Sequence, residues 1–309
     1  MSKDRINLLG FTYDSLVDFF QSLGEPSFRA SQLMKWVHQR GIIDFDKMTD
    51  FSVNLRSQLS EVAEIGPPKI EECLTSPEGT KKYLIKISSG SMVEMVIIPE
   101  GKRKTLCISS QAGCALQCTF CATGAQGFDQ NLNSHEIIGQ LWLANFFKKV
   151  EQPITNIVFM GMGEPLLNFD AVIESTKIMK HQLAYGLSRK RVTISTSGIV
   201  PNIKKLTEFV DVSLAISLHA PNDSLRDEIV PINKKYPIKV LIDSCKDFLN
   251  YYENKRHITI EYILIKDIND SAEHAKSLTK LLSQISCKIN LIPFNTFDGS
   301  DYERPSNTK

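Results

Sequence analysis

The stretch Lys104-Thr105-Leu106-Cys107-Ile108-Ser109-Ser110-Gln111-Ala112-Gly113-Cys114-Ala115-Leu116-Gln117-Cys118-Thr119-Phe120-Cys121 decides how the rest of the chain is read. It opens with a short apolar run, Thr105–Ser109, of strand character, and ends in a loop with three thiols. Downstream the order strand, loop, helix recurs. Further strands are predicted at Asn156–Met160, Arg191–Ser195, Val212–Leu218, Ile258–Ile265 and Lys288–Pro293. Helical periodicity lies between them at Ser134–Val150, Asp170–Leu183, Val200–Phe209, Ile238–Asn250 and Ser271–Gln284. Asn133 and Glu136 form a capping-box pair at the first of these helices. Strands alternating with helices imply βαβ units and a parallel sheet, wound by right-handed crossovers into an open or partial barrel. Ligands in such α/β folds sit at the C-terminal ends of the strands, so the loops that follow strands carry the chemistry.

Upstream the pattern differs. Tyr13–Leu23 and Phe28–His38 carry apolar residues at helical spacing, with Ser27 as a helix start and Gly41 as a stop. From Pro67 the period falls to two: Ile70–Leu74, Lys82–Ile87 and Met92–Ile98 read as an antiparallel meander. The expected organisation is a helical accessory domain over 1–66, a β meander over 67–99, and an α/β core over 100–309.

Composition is that of a globular protein: 42% hydrophobic, 23% charged, with 36 Lys and Arg against 35 Asp and Glu. The balance gives no support to a strongly basic nucleic-acid binder, although a local basic face is compatible with it. No apolar leader follows the first residues. The most apolar long stretch, Ile137–Phe147, has 11 residues, includes Gln140 and Asn145, and is far short of the ~20 that span a bilayer. A cytoplasmic protein without membrane attachment is expected. Seven cysteines, irregularly spaced, do not read as a disulfide framework; clustered thiols in a reducing compartment point to a metal or to catalysis.

Cys114, Cys118 and Cys121 place three thiols in one short loop. Structural zinc usually wants four ligands in paired spacings, and no second pair follows. A 4Fe–4S cubane held by three thiolates leaves one iron open for chemistry. The alternative, three unrelated buried thiols, is opposed by the spacing, the position after a strand, and the flanking Gly113 and Gly124.

The Cys114-x3-Cys118-x-Phe120-Cys121 motif resembles the signature of the radical S-adenosylmethionine (SAM) superfamily. After the second strand of the core comes Gly161-Met162-Gly163-Glu164-Pro165-Leu166-Leu167-Asn168, whose glycines let a ligand approach and whose Glu164 offers a carboxylate to an ammonium group. A dinucleotide fingerprint would need a third glycine and no proline. Together with Ser195-Thr196-Ser197-Gly198, Ser217-Leu218-His219-Ala220-Pro221-Asn222, Pro293-Phe294-Asn295, Phe28-Arg29-Ala30 through Trp36, and Asp44-Phe45-Asp46-Lys47-Met48-Thr49, nearly the whole chain resembles the radical SAM RNA adenine methyltransferases of the RlmN/Cfr type. The resemblance implies a partial (β/α)6 barrel. It implies a 4Fe–4S cluster on Cys114, Cys118 and Cys121, with SAM on Gly163, Glu164, Ser195, Ser217, Leu218, His219 and Asn295. The N-terminal helical region then docks RNA.

Two further residues take roles from the resemblance. Glu94, inside the apolar strand Ser91–Ile98, reads alone as the polar side of an edge strand; the resemblance makes it a proton acceptor. Cys107 reads alone as a small buried hydrophobe; the resemblance makes it a free thiol that resolves a protein–RNA crosslink, and also implies a disulfide bond. His38, His135, His181, His257 and His274 receive no role. The basic runs Lys102–Lys104, Arg189–Arg191 and Lys255–His257 read as solvated faces that contact phosphates if they converge at the strand mouths.

Carbon 2 of adenine is electron-poor and cannot simply attack the methyl sulfonium of SAM. The resemblance implies a radical route with two SAM molecules. One methylates a carrier cysteine near the C-terminus of the family's chains, and the other is cleaved by an electron from the cluster. The substrates implied are an adenosine of 23S ribosomal RNA and, in one branch, a tRNA adenosine, with an electron donor such as flavodoxin and a monomeric enzyme. No carrier cysteine follows the sixth core strand here, so the sequence reads as a truncated relative with doubtful competence for methyl transfer. Two alternatives stand beside this reading: another radical SAM enzyme that needs no carrier, and a non-catalytic Fe–S RNA-binding module.

Overall fold

The computed structural model describes residues 5–147 and 152–306; the end of the predicted helix Ser134–Val150 lies outside them. The chain divides into two compact units, the first comprising 1–112, 131–161 and 170–192, the second 113–130, 162–169 and 193–309.

In the first unit, helices Tyr13–Ser22, Phe28–His38 and Val53–Val62 bury Leu16, Phe19, Phe20, Leu33, Met34, Val37, Leu55 and Leu59 along apolar stripes. Thr12 and Ser52 cap the first and third by accepting the N–H of Ser15 and Leu55. Ser27 starts the second helix without a side-chain cap. Strands β1 (Lys69–Thr75), β2 (Lys81–Lys86), β3 (Met92–Glu100) and β4 (Arg103–Cys107) form the antiparallel meander, and β5 (Asn156–Phe159) joins β4 in parallel. Alternation along β3 buries Val93, Met95 and Ile97 on one face. Helix Ser134–Phe146 has the expected capping box, with Glu136 accepting the Asn133 N–H at 2.9 Å.

Strand β4 runs two residues earlier than the periodicity predicts. Ser109 is drawn out of the ladder. Its N–H and C=O bond the Gln140 amide at 2.9 and 2.8 Å, and its hydroxyl donates to the Glu94 carbonyl at 2.6 Å. All seven cysteines are free thiols, so the disulfide expected from the resemblance is not formed.

His38 is buried, with Nδ1 3.2 Å from the Tyr185 hydroxyl, and burial pushes its pKa down to about 3. It stays neutral in the folded chain while an unfolded chain takes up the proton near pH 6.5, so stability is lost as pH falls from about 6.5 toward 3. His219 acts in the same direction, and buried Glu164, whose proton affinity is raised, opposes them. Urea unfolding of His38→Gln should show a shallower loss between pH 7 and pH 5 than the parent, by up to ~1.4 kcal/mol per pH unit; equal slopes would refute it.

In the second unit, β6 (Val192–Thr196), β7 (Ser213–Ser217), β8 (Ile258–Leu264) and β9 (Cys287–Pro293) are parallel neighbours in that order. Helices Val200–Phe209, Asp223–Ile229, Ile238–Tyr251 and Ala272–Leu282 connect them. Asp223–Ile229 is a helix the periodicity does not predict. Ile194, Leu214, Ala215, Ile216 and Ile260 are fully buried, as near-continuous apolar strands in a parallel sheet require.

Candidate cofactor and active site

The cysteine loop lies in the second unit and is shaped by its glycines. Gly113 has φ +71°, and a Cβ there would meet the Gly127 carbonyl oxygen at 1.8 Å. That carbonyl accepts the Cys114 N–H at 2.8 Å. Gly124 allows equally close packing, since a Cβ would come within 2.9 Å of the Cys118 carbonyl. Cys118 accepts the Cys121 N–H at 3.1 Å, and Thr119 donates to Ile229 C=O at 3.2 Å.

Burial raises the proton affinity of Cys114, and pushes Cys118 up to about 12 with help from Cys121, Cys114 and Glu164. Among the described residues no set of three or more His, Cys, Asp or Glu converges on a point where a single metal ion would sit. A cubane differs, because each thiolate binds a separate iron. Three thiols on one short loop fit that cluster: positive irons would offset the burial and the thiolate–thiolate repulsion that hold protons on Cys114 and Cys118.

Glu164 is buried beside this loop in charge terms. Its Oε2 accepts the Ser197 N–H at 2.8 Å and its Oε1 the Leu166 N–H at 3.1 Å. Burial raises its proton affinity, opposed by hydrogen bonds from Ser197, Thr196 and Leu166. Such a carboxylate is completed by an ammonium group, and Gly163, at φ +96°, bends the backbone just before it. Glu164→Ala should weaken SAM binding by about 1.5–3 kcal/mol, the scale of a hydrogen bond to a charged group, while the iron stays in place. Only the ionised carboxylate attracts the ammonium, so parent affinity should fall as pH drops through the raised pKa. Calorimetry at several pH values reads both, and an unchanged affinity in the variant would sink the assignment.

Ser195 lies buried near the end of β6, and Ser217, Leu218 and His219 at the end of β7. His219 has φ +61°, accepts the Ile263 N–H at Nδ1 (3.1 Å), and presents its ring to the edge of Phe120 at 4.7 Å. Burial, then the Arg226 charge, push its pKa down to about 3, so it is a neutral imidazole with Nε2 carrying the proton. Within this one unit the cysteine loop touches the end of β7 through Phe120 and His219, and Glu164 is held by the Ser197 N–H just after β6. Asn295, two residues beyond β9, instead accepts a long 3.4 Å bond from Arg304.

Glu94 and Cys107 belong to the first unit. Val96 pairs with Cys107 across β3 and β4, so Glu94, two residues from Val96, lies on the same sheet face as the thiol. The Glu94 side chain is 41% exposed and meets Lys82 Nζ at 2.8 Å. Cys107 ends β4 rather than sitting mid-strand, and burial pushes its thiol up to about 11 against a backbone hydrogen bond from Met160.

Two residues escape the sequence reading. Arg226, fully buried, donates to the carbonyls of Ser197, Ser217 and Leu218. Tyr302 shares a 2.9 Å hydrogen bond with Thr119, between two of the cysteines. Lys102–Lys104 opens β4, and Arg189–Arg191 and Lys255–His257 directly precede β6 and β8, so all three runs lie at strand N-terminal ends, not at the C-terminal ends that lead into the cysteine and SAM loops.

The comparisons with known proteins agree with this geometry. Residues 6–65 match the ribosomal RNA large subunit methyltransferase N-terminal domain, and residues 108–278 match the radical SAM superfamily. A dual-specificity RNA methyltransferase RlmN of Pseudomonas putida is 56% identical over 99% of this chain and 82% of its own length. Its Pseudomonas fluorescens counterpart is 54% identical over 98% and 81%. The crystal structure of a radical SAM methyltransferase from Sphaerobacter thermophilus superposes with a TM-score of 0.92 at 37% identity, covering 98% of this chain and 89% of that one. Matched at both ends and along its core, the chain has the radical SAM α/β fold and belongs to the RlmN family of radical SAM RNA methyltransferases.

Proposed function

We propose that the chain carries out methylation of carbon 2 of an adenosine in 23S ribosomal RNA, with a tRNA adenosine as second substrate. The observation that carries this reading is the union of an RlmN-type N-terminal domain with a cysteine loop whose Phe120 meets a neutral histidine, in the unit that also buries the Glu164 carboxylate. Cys114, Cys118 and Cys121 hold a 4Fe–4S cluster, which when bound supplies the electron for SAM cleavage. Glu164 takes the SAM ammonium, Gly163 leaves its backbone open beside it, and Ser195, Ser217, Leu218, His219 and Asn295 complete the pocket. His219 serves as a neutral hydrogen-bonding group, because its pKa keeps it uncharged at physiological pH.

Glu94 accepts the proton that leaves adenine carbon 2. Cys107 provides the thiol that releases the product. Burial keeps it protonated, so its proton must pass to a base before the sulfur attacks. Residues 1–66 dock the RNA, 67–99 form the linking meander, and 100–309 form the core. A flavodoxin supplies electrons to a cytoplasmic monomer; among the described residues no helix is long and apolar enough to cross a membrane.

The carrier thiol required by the radical route is not among the three remaining cysteines. Cys73 is on β1, Cys245 is buried in a helix, and Cys287 opens β9. The test therefore has two arms. With SAM and a reductant, the 309 residues should form 5′-deoxyadenosine. Joined to the C-terminal segment of the Pseudomonas putida relative, they should also produce 2-methyladenosine in 23S rRNA and tRNA, read by mass spectrometry of digests. Methylation at carbon 8 instead, or no deoxyadenosine in either arm, would refute the proposal.

A further inference from the structure

Helix Asp223–Ile229 carries Arg226, among the described residues the largest fully buried side chain. Its Nε donates to Leu218 C=O at 3.0 Å, and its Nη2 to Ser197 C=O at 2.6 Å and Ser217 C=O at 3.1 Å. Its Nη1 is anchored on Asn233 Oδ1 at 2.8 Å, and the Asn233 amide in turn donates to Asp223 and Asp227 at 2.9 and 2.7 Å. The three carbonyls belong to the last residue of β7 and to the first residues after β6 and β7. Ser197 is also the residue whose N–H holds Glu164.

The same helix supports the cysteine loop. Ile229 C=O accepts the Thr119 N–H, and Cys118 and Phe120 pack on Ala220, Ile229 and Val230. The charged and titratable groups facing the guanidinium are Cys118, Asp223, Asp227, Cys245 and the neutral His219. Burial lowers its pKa only to about 10, so the side chain remains a cation at neutral pH. A buried cation costs several kcal/mol of desolvation unless its surroundings return it. Ordinary loop packing would be served by an apolar side chain.

We propose that Arg226 is a positioning residue with two separable actions: its planar fork sets the carbonyls of the SAM-binding loops, and its charge, buried under the cysteine loop, stabilises the reduced cluster. The proposal rests on the cluster and SAM reading given above. Lysine keeps the charge but cannot reproduce a planar fork with donors on three nitrogens, so two variants separate the two actions.

Wild type, Arg226→Lys and Arg226→Gln are reconstituted anaerobically and checked for iron and for circular dichroism. SAM affinity is read by calorimetry, and the cluster midpoint potential by a redox titration followed by electron paramagnetic resonance. Arg226→Lys should bind SAM about tenfold more weakly or worse, from lost hydrogen bonds, at a potential close to wild type. Arg226→Gln should lose SAM affinity similarly and shift the potential to more negative values. SAM binding at wild-type strength in the Lys variant, or a wild-type potential in the Gln variant, overturns the proposal. If Arg226→Gln does not fold, Asp227→Asn takes its place with the opposite sign: removing an acid that faces Arg226 should raise the potential, and no rise overturns the charge action. A wild-type chain that takes up no cluster refutes the parent reading, and the proposal with it, and is told apart from the other failures by its iron content.

Discussion

Anaerobically purified protein in which any one of Cys114, Cys118 or Cys121 is replaced by Ala is expected to be colourless and nearly free of iron. The three thiols share one loop whose backbone is fixed by the Cys114–Gly127 and Cys121–Cys118 hydrogen bonds, so no neighbouring thiol can swing in to replace a lost one. Burial and mutual repulsion also hold protons on Cys114 and Cys118, and iron must displace them. Two thiolates left alone would anchor too few corners of the cube to compensate. Cys73→Ala and Cys287→Ala, on β1 and β9, should keep the full iron content and serve as controls. The measurements are iron and sulfide analysis with visible absorbance; a full cluster in all three loop variants would remove the assignment.

Gly113→Ala should be far more damaging than Gly127→Ala, although the two glycines face each other and both have positive φ. At Gly127, φ +76° and ψ −177° fall in a region nearly exclusive to glycine, costing about 1–3 kcal/mol for any other residue, but a Cβ would point into open space. At Gly113 the added Cβ would lie 1.8 Å from the Gly127 carbonyl oxygen, a main-chain atom that cannot rotate away. The loop must then separate, and the hydrogen bond from Cys114 N–H to that carbonyl is lost with it. Urea unfolding should place Gly127→Ala about 1–3 kcal/mol below the parent with iron loading retained. Gly113→Ala should lose both stability and most of its iron. Equal behaviour of the two variants would show that the loop is not the rigid cradle described here.

Much of this protein is written in short-range sequence pattern. The cysteine triad is legible because its ligands lie within eight residues and their spacing is itself the chemistry. The strands and helices are legible because burial on one face or both imposes a period, and most predicted elements lie within two residues of those observed. Where the bounds fail, as at β4, a side chain distant in sequence intervenes: Gln140 takes the backbone of Ser109, and no local pattern announces that.

Tertiary structure alone decided the rest. That Glu94 and Cys107 share a sheet face follows from the pairing of Val96 with Cys107, because a shift of one residue would send the two side chains to opposite faces. That Glu94 is met by Lys82 depends on the same register. Arg226 stands in Asp223-Ser224-Leu225-Arg226-Asp227-Glu228, which by itself reads as the charged surface of a short helix. Its burial depends on carbonyls 8, 9 and 29 residues away, supplied by the end of β7 and the turns after β6 and β7, which meet only once those strands lie side by side. The sequence alone determined which chemical groups are present and the local elements that carry them, because spacing and periodicity act over a few residues. The fold decided which buried polar groups satisfy one another, because a hydrogen bond between distant loops has no signature in either strand of sequence that makes it.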